Sequence, residues 1–138
     1  MPIQFGKVPK MKRPDISPVS PPKILELCQE ELDTLYPDRP QQIVLKKQIQ
    51  RRMEFFHGHR TDFVRKPLFE QYGTFRFEGK NIPAYVMRFN HVGDLANLRI
   101  FFILYEGDMV LLHAFQETKD GSYEKAFDVA KGRLAAGK

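Results

Sequence analysis

An α+β fold is what this 138-residue sequence predicts: two N-terminal helices packed on an antiparallel sheet of three or four strands, and a further helix after the sheet. Two observations carry that expectation. Apolar residues recur at three-and-four spacing between residues 25 and 56, and again after Ser122, which is the period of helices. From Thr74 to Phe115 the period shortens to that of strands, with Gly-containing turns between the runs.

Residues 1–22 hold six of the ten prolines together with Lys7, Lys10, Lys12 and Arg13. Proline fixes φ and removes backbone donors, so this stretch reads as an extended basic tail. Within it only "IQFGKV" has the apolar character of an edge strand. Residues 23–138 read as one domain, long enough to bury roughly two-thirds of the surface exposed by the unfolded chain.

The first helix is expected to start at Ser20, a good cap, with Pro21 at the first helical position, where a missing N–H costs nothing. Leu25, Cys28, Leu32 and Leu35 form its apolar stripe, and Pro37 stops it. Cys28 on that stripe reads as a small core residue. A second helix is expected from about Pro40 to Phe56, with Leu45, Ile49, Met53 and Phe56 on one face. Arg52 falls inside this stripe, either snorkelling at its edge or serving an inward position. Lys47, Arg51 and Glu54 point outward, Gly58 ends the helix, and "HGHRTDFVRKP" reads as loop.

"TFRF" alternates as a strand, and Glu78-Gly79-Lys80-Asn81 reads as a turn. "IPAYVMRFN" continues as a strand, with Pro83 near its start, and "HVGDLAN" is a loop. Leu98 to Tyr105 is nearly continuous apolar sequence, the pattern of a central strand covered on both faces. Glu106-Gly107-Asp108 supplies a tight hairpin into Met109–Phe115. Ser122 caps a final helix that carries Tyr123, Phe127, Ala130 and Leu134 on one face. The helices are expected on one face of the sheet.

Bulk properties narrow the classes of function. The net charge of +5 lies wholly in residues 1–66, where 13 Lys/Arg face 8 Asp/Glu, whereas residues 67–138 hold nine of each. From Lys46 to Lys66 seven basic residues face two acidic ones. Such a concentration suits a polyanion or an acidic protein, and equally a solvated helix face. One cysteine makes no internal disulfide, and no apolar run approaches the ~20 residues of a membrane helix. The expected setting is soluble and cytoplasmic. His57 and His59 lack a second close pair of ligands for a metal. No nucleophile elbow or Gly-rich phosphate loop is present.

The ordered set Met87-Arg88-Phe89, Leu98-Arg99-Ile100, Glu106-Gly107-Asp108 and Leu111-Leu112-His113-Ala114-Phe115 resembles the core of the RelE/HigB toxin superfamily, in its phage-derived HigB-like branch. The likeness spans roughly residues 40–136 and is firmest from 84 to 115. It implies a toxin of a type II toxin-antitoxin system: a ribosome-dependent, metal-independent endoribonuclease without cofactor, acting on mRNA and neutralised by a helix-turn-helix antitoxin. Cleavage by the 2′-OH needs a proton acceptor, cations for the phosphate and a donor for the leaving oxygen.

Carried over by position, Arg99 corresponds to a phosphate-binding arginine and Arg88 to a basic position on the preceding strand. His113 matches the branch's Leu-Leu-His, and Tyr123 resembles a tyrosine used in catalysis or stacking. Each also has a structural reading. Arg99 could be buried beside a carboxylate such as Asp94, Arg88 could be an exposed cross-strand partner, and His113 and Tyr123 could be core residues. Expected RNA contacts are Lys46, Lys47, Arg51, Arg52, Arg60, Arg65, Lys66 and Lys119. One departure stands out: where the family continues with basic residues, this chain has Gln116 and Glu117. A carboxylate there opposes phosphate binding, so a non-catalytic RNA- or protein-binding module on the same scaffold is the alternative.

Overall fold

A computed structural model of the chain describes residues 22–58, 68–118 and 121–137. In chain order the elements are β1 (Lys23–Ile24), α1 (Glu26–Leu35), α2 (Arg39–Gly58), β2 (Phe69–Phe77), β3 (Lys80–Arg88), β4 (Leu98–Tyr105), β5 (Asp108–Gln116) and α3 (Ser122–Ala136). A single 3-10 turn, Gly93–Leu95, leads into β4. No described helix is long and apolar enough to cross a membrane.

The fold is α+β, but its sheet is a mixed one of five strands in the order β1-β5-β4-β3-β2. Strands β2 to β5 pair antiparallel with their sequence neighbours. The fifth member, β1, runs parallel to β5 through Lys23↔Val110 and Ile24↔Leu111. It occupies residues expected to be helical. At Leu25 the backbone N–H still bonds to the Leu111 carbonyl at 3.1 Å, so α1 begins only at Glu26. Two residues are too short to carry a period, which is why this strand escapes a reading by periodicity. The expected Ser20 cap with Pro21, and the "IQFGKV" strand, lie outside the described residues.

The helices lie on both faces of the sheet, not on one. Cys28, Leu32, Leu45, Ile49, Met53 and Phe56 of α1 and α2 pack with Leu98, Ile100 and Phe102 of β4. On the opposite face Ala126, Ala130 and Leu134 of α3 pack with Phe101 and Ile103 of the same strand. The apolar run of β4 thus divides by parity between two cores, as alternating side-chain direction demands. Cys28 is buried in the first of these cores, and burial, with the charge of Glu31 nearby, pushes its thiol up to about 12.

Two irregularities set where side chains point. In β2 the register shifts between Gln71 and Thr74, so the strand starts at Phe69, five residues ahead of Thr74. Gly73 in that shift has φ +77°, and a Cβ there would sit 3.2 Å from the Phe127 ring of α3. The positive φ strains any L side chain there, and a Cβ would also press on that ring. In β5, Phe102 pairs with Leu111 and Phe101 with His113, leaving Leu112 as an extra residue. Leu112 joins the α3-side core. The bulge turns His113 to that side too, where its ring stacks on Phe115 at 5.6 Å. The cap of α3 is Gly121, with φ +92°, and Ser122 is the first helical residue instead of the cap.

Candidate functional site

Arg88, the last residue of β3, and Arg99, the second of β4, are direct cross-strand partners. Two like charges so placed repel by up to ~1 kcal/mol unless other groups compensate. Two carboxylates do so here. The Nη1 of Arg88 donates to Glu70 on β2, and Nε of Arg99 donates to Glu117, just past β5, at 2.9 Å. Register brings both carboxylates in. Glu70 pairs opposite Val86 two residues from Arg88, and Gln116 pairs with Leu98 beside Arg99.

Arg99 is only 6% exposed, and its Nη1 is committed to the carbonyls of Ala96 and Leu98 at 2.9 and 2.8 Å. The carboxylate beside it is Glu117; the expected candidate, Asp94, instead accepts from Gln41 at 3.1 Å. The guanidinium is therefore fixed by Nη1 while its Nε edge faces Glu117 and Tyr123. Its single Nε–H is shared, since the Tyr123 hydroxyl lies 3.2 Å away. That hydroxyl in turn donates to Glu70 at 3.4 Å. A chain of hydrogen bonds thus runs Arg99–Tyr123–Glu70–Arg88.

Tyr123 serves both core and cluster. Its ring meets Tyr72 at 5.4 Å and Phe115 at 5.5 Å, while its hydroxyl reaches the charges. Burial, followed by the negative charge of Glu70, pushes the phenol up to about 12. At neutral pH it is a proton donor. The guanidinium of Arg88 and the Nε–Nη2 edge of Arg99 are each used at one nitrogen only. Arg88 has a buried Nε with no hydrogen-bond partner among the described residues, and no bond from Nη2 of Arg99 reaches any described residue. A buried unsatisfied donor costs about 1–3 kcal/mol, so Glu70 leaves part of the capacity of Arg88 idle.

His113 does not join this group. It bonds through Nδ1 to Glu31 of α1 at 2.9 Å. The same carboxylate accepts two bonds from Arg133 of α3, at 2.7 and 2.6 Å, and the Ala114 N–H at 3.0 Å. Arg133 also donates to the Leu112 carbonyl at 3.1 Å. Beyond β1 the edge of β5 has no strand neighbour among the described residues, and Glu31 and Arg133 meet its Ala114 N–H and Leu112 carbonyl there. Burial opposes the charge on Glu31, yet the bonds from His113, Arg133 and Ala114 hold its carboxyl down at about 2. His113 is thus a member of an edge clamp, apart from the cluster of Arg88, Arg99 and Tyr123.

The basic cluster divides in the same way. Lys46, Lys47 and Arg51 are exposed on α2. Arg52 is 4% exposed and turned inward, with Nε on the Arg88 carbonyl at 2.8 Å, Nη1 on Gln48, and its guanidinium 4.4 Å from the Phe89 ring centre. It braces the end of β3 that carries Arg88. Burial lowers its pKa to about 10. His59, Arg60, Arg65, Lys66 and Lys119 lie outside the described residues, which include no group of three or more His, Cys, Asp or Glu arranged to hold a metal.

Sequence reasoning missed Glu70, because the strand that carries it was expected to begin at Thr74. It also missed Glu31 and Arg133, which lie off the apolar stripes of their helices and give no sign in sequence of a shared partner. Comparison of the chain with family models, curated proteins and solved structures finds no match.

Proposed function

We propose that this chain is an RNA-directed endoribonuclease of the toxin type, acting on translated mRNA. One observation carries the reading: Arg88 and Arg99 stand opposite each other across two strands, with the Tyr123 hydroxyl 3.2 Å from Arg99. Two guanidinium groups at that separation suit the nonbridging oxygens of one phosphodiester. Glu70 takes the proton of the attacking 2′-OH as the 2′-oxygen bonds to phosphorus. The bond to the 5′-oxygen breaks, and Tyr123 gives that oxygen its phenolic proton. A 2′,3′-cyclic phosphate and a 5′-OH result, and the proton on Glu70 returns to Tyr123 along their hydrogen bond. The finer RelE-like fold assignment, a helix-turn-helix antitoxin as partner, a ribosome contact through Lys46, Lys47 and Arg51, and a cytoplasmic setting belong to the same reading.

A second reading has its own support. Each arginine is already paired with a carboxylate, which suits a module that binds RNA or protein without cutting. Primer extension on a translated reporter mRNA, with and without ribosomes, separates the two. The expected result is ribosome-dependent cuts that fall by about a hundredfold or more in Arg99→Lys, which keeps the charge and loses the fork. Binding without cuts overturns catalysis and leaves the second reading.

A further inference from the structure

We propose that Glu117 is an intramolecular gate on this site, occupying the edge of Arg99 that an RNA phosphate must take. The inference rests on the reading of Arg88, Arg99 and Tyr123 as a phosphate site and names how that site is regulated.

Three features single out Glu117. First, it takes one point of a fork that could take two: Oε1 meets Nε of Arg99 at 2.9 Å, and no bond links it to Nη2. A phosphate engaging both nitrogens makes the stronger, bidentate contact. Second, Glu117 is the more accessible of the two carboxylates. Its side chain is 41% exposed against 22% for Glu70, whereas Arg99 is buried, so an incoming phosphate replaces the negative charge as Glu117 swings out. Third, Arg99 remains aimed when Glu117 leaves. The Ala96 and Leu98 carbonyls hold its other nitrogen, and the Glu117 backbone stays anchored by its N–H on the Asn97 carbonyl at 2.8 Å. Only the side chain has to swing.

Glu70 cannot play this part. It lies within β2, pairs with Val86, and holds both Arg88 and the Tyr123 hydroxyl. The two carboxylates therefore have different tasks: Glu70 belongs to the closed chain of hydrogen bonds, whereas Glu117 covers its entrance. The gate lowers affinity for stray phosphates and is overcome when an RNA strand contributes further contacts beyond this one phosphate.

The test compares the full chain with Glu117→Gln, and with Glu30→Gln as a control for the same change of charge at an exposed site. Two probes are used: sulfate, followed by the side-chain NMR signal of Arg99 Nε, and a short RNA with a 2′-deoxy substitution that prevents cleavage, followed by fluorescence anisotropy. Glu117→Gln is expected to bind both about tenfold more tightly than wild type, with Glu30→Gln within twofold of it. Equal or weaker binding by Glu117→Gln, an equal gain in Glu30→Gln, or an Arg99 signal that ignores sulfate in every variant overturns the gate. If Glu117→Gln gains affinity for sulfate while the RNA fails to bind any variant, the gate stands and the RNA reading falls.

Discussion

Two charged clusters, one on the α3 side of the sheet and one at the β5 edge between α1 and α3, differ in how completely their hydrogen bonds are used. In the clamp of Glu31, His113 and Arg133 a single carboxylate accepts from two side chains and one backbone N–H, with Arg133 bidentate. In the cluster of Arg88, Arg99, Glu70, Glu117 and Tyr123, charge is balanced but Arg88 and the Nε–Nη2 edge of Arg99 are each used at one nitrogen, and one donor is buried without a partner among the described residues. Charge balance alone does not tell a structural cluster from a binding one. The number of unused donors is what differs between these two.

The largest effect that sharpens this contrast is expected in the clamp. Glu31→Ala leaves Arg133, His113 and the Ala114 N–H at the strand edge without their shared acceptor, and should lower stability by about 3 kcal/mol in denaturant unfolding. A loss below 1 kcal/mol would show that water replaces the carboxylate and that the clamp is ornamental.

Acid titration comes next. The folded-state pKa of Glu31, about 2, lies below its ordinary value of 4.5, so the native state holds its proton less tightly than the unfolded chain does. Its contribution is fully present above about pH 4.5 and is lost as pH falls through 2. Stability measured from pH 6 to 2 should therefore fall more steeply for wild type than for Glu31→Gln. Parallel curves would remove Glu31 as the source.

Much of the fold was legible because α2, β3, β4, β5 and α3 are long enough to show a period. What was not legible depends on phase and register. The apolar run of β4 has no phase of its own, so it could not say which helices cover which face. The carboxylate facing Arg99 was sought five residues away at Asp94, whereas antiparallel pairing delivers one eighteen positions on. The extra residue in β5 decides which way His113 turns, and nothing local in Leu-Leu-His announces a bulge. Arg52 was placed on the correct stripe, but its acceptor is a strand-end carbonyl that exists only once the sheet has formed.

The smallest stability effect, and the sharpest separation of the two clusters, is expected at Tyr123. Tyr123→Phe keeps the ring packing and removes one hydroxyl from a group with spare donors, so stability should change by about 1 kcal/mol or less. Cleavage should fall by about a hundredfold, because the leaving oxygen loses its proton donor. A variant as unstable as Glu31→Ala would place Tyr123 among the structural residues.

The contact between Gly73 and Phe127 gives the sheet a say in the chemistry proposed at its far end. Phe127 is one helical turn beyond Tyr123 on α3, and its ring rests where any Cβ at residue 73 would intrude. A bare backbone at that point lets the helix settle low enough for the phenol to touch charges rooted in the strands. A methyl group on residue 73 would press on the Phe127 ring at 3.2 Å in a backbone conformation that L side chains rarely adopt, and the ring that sits one turn from the tyrosine would have to yield.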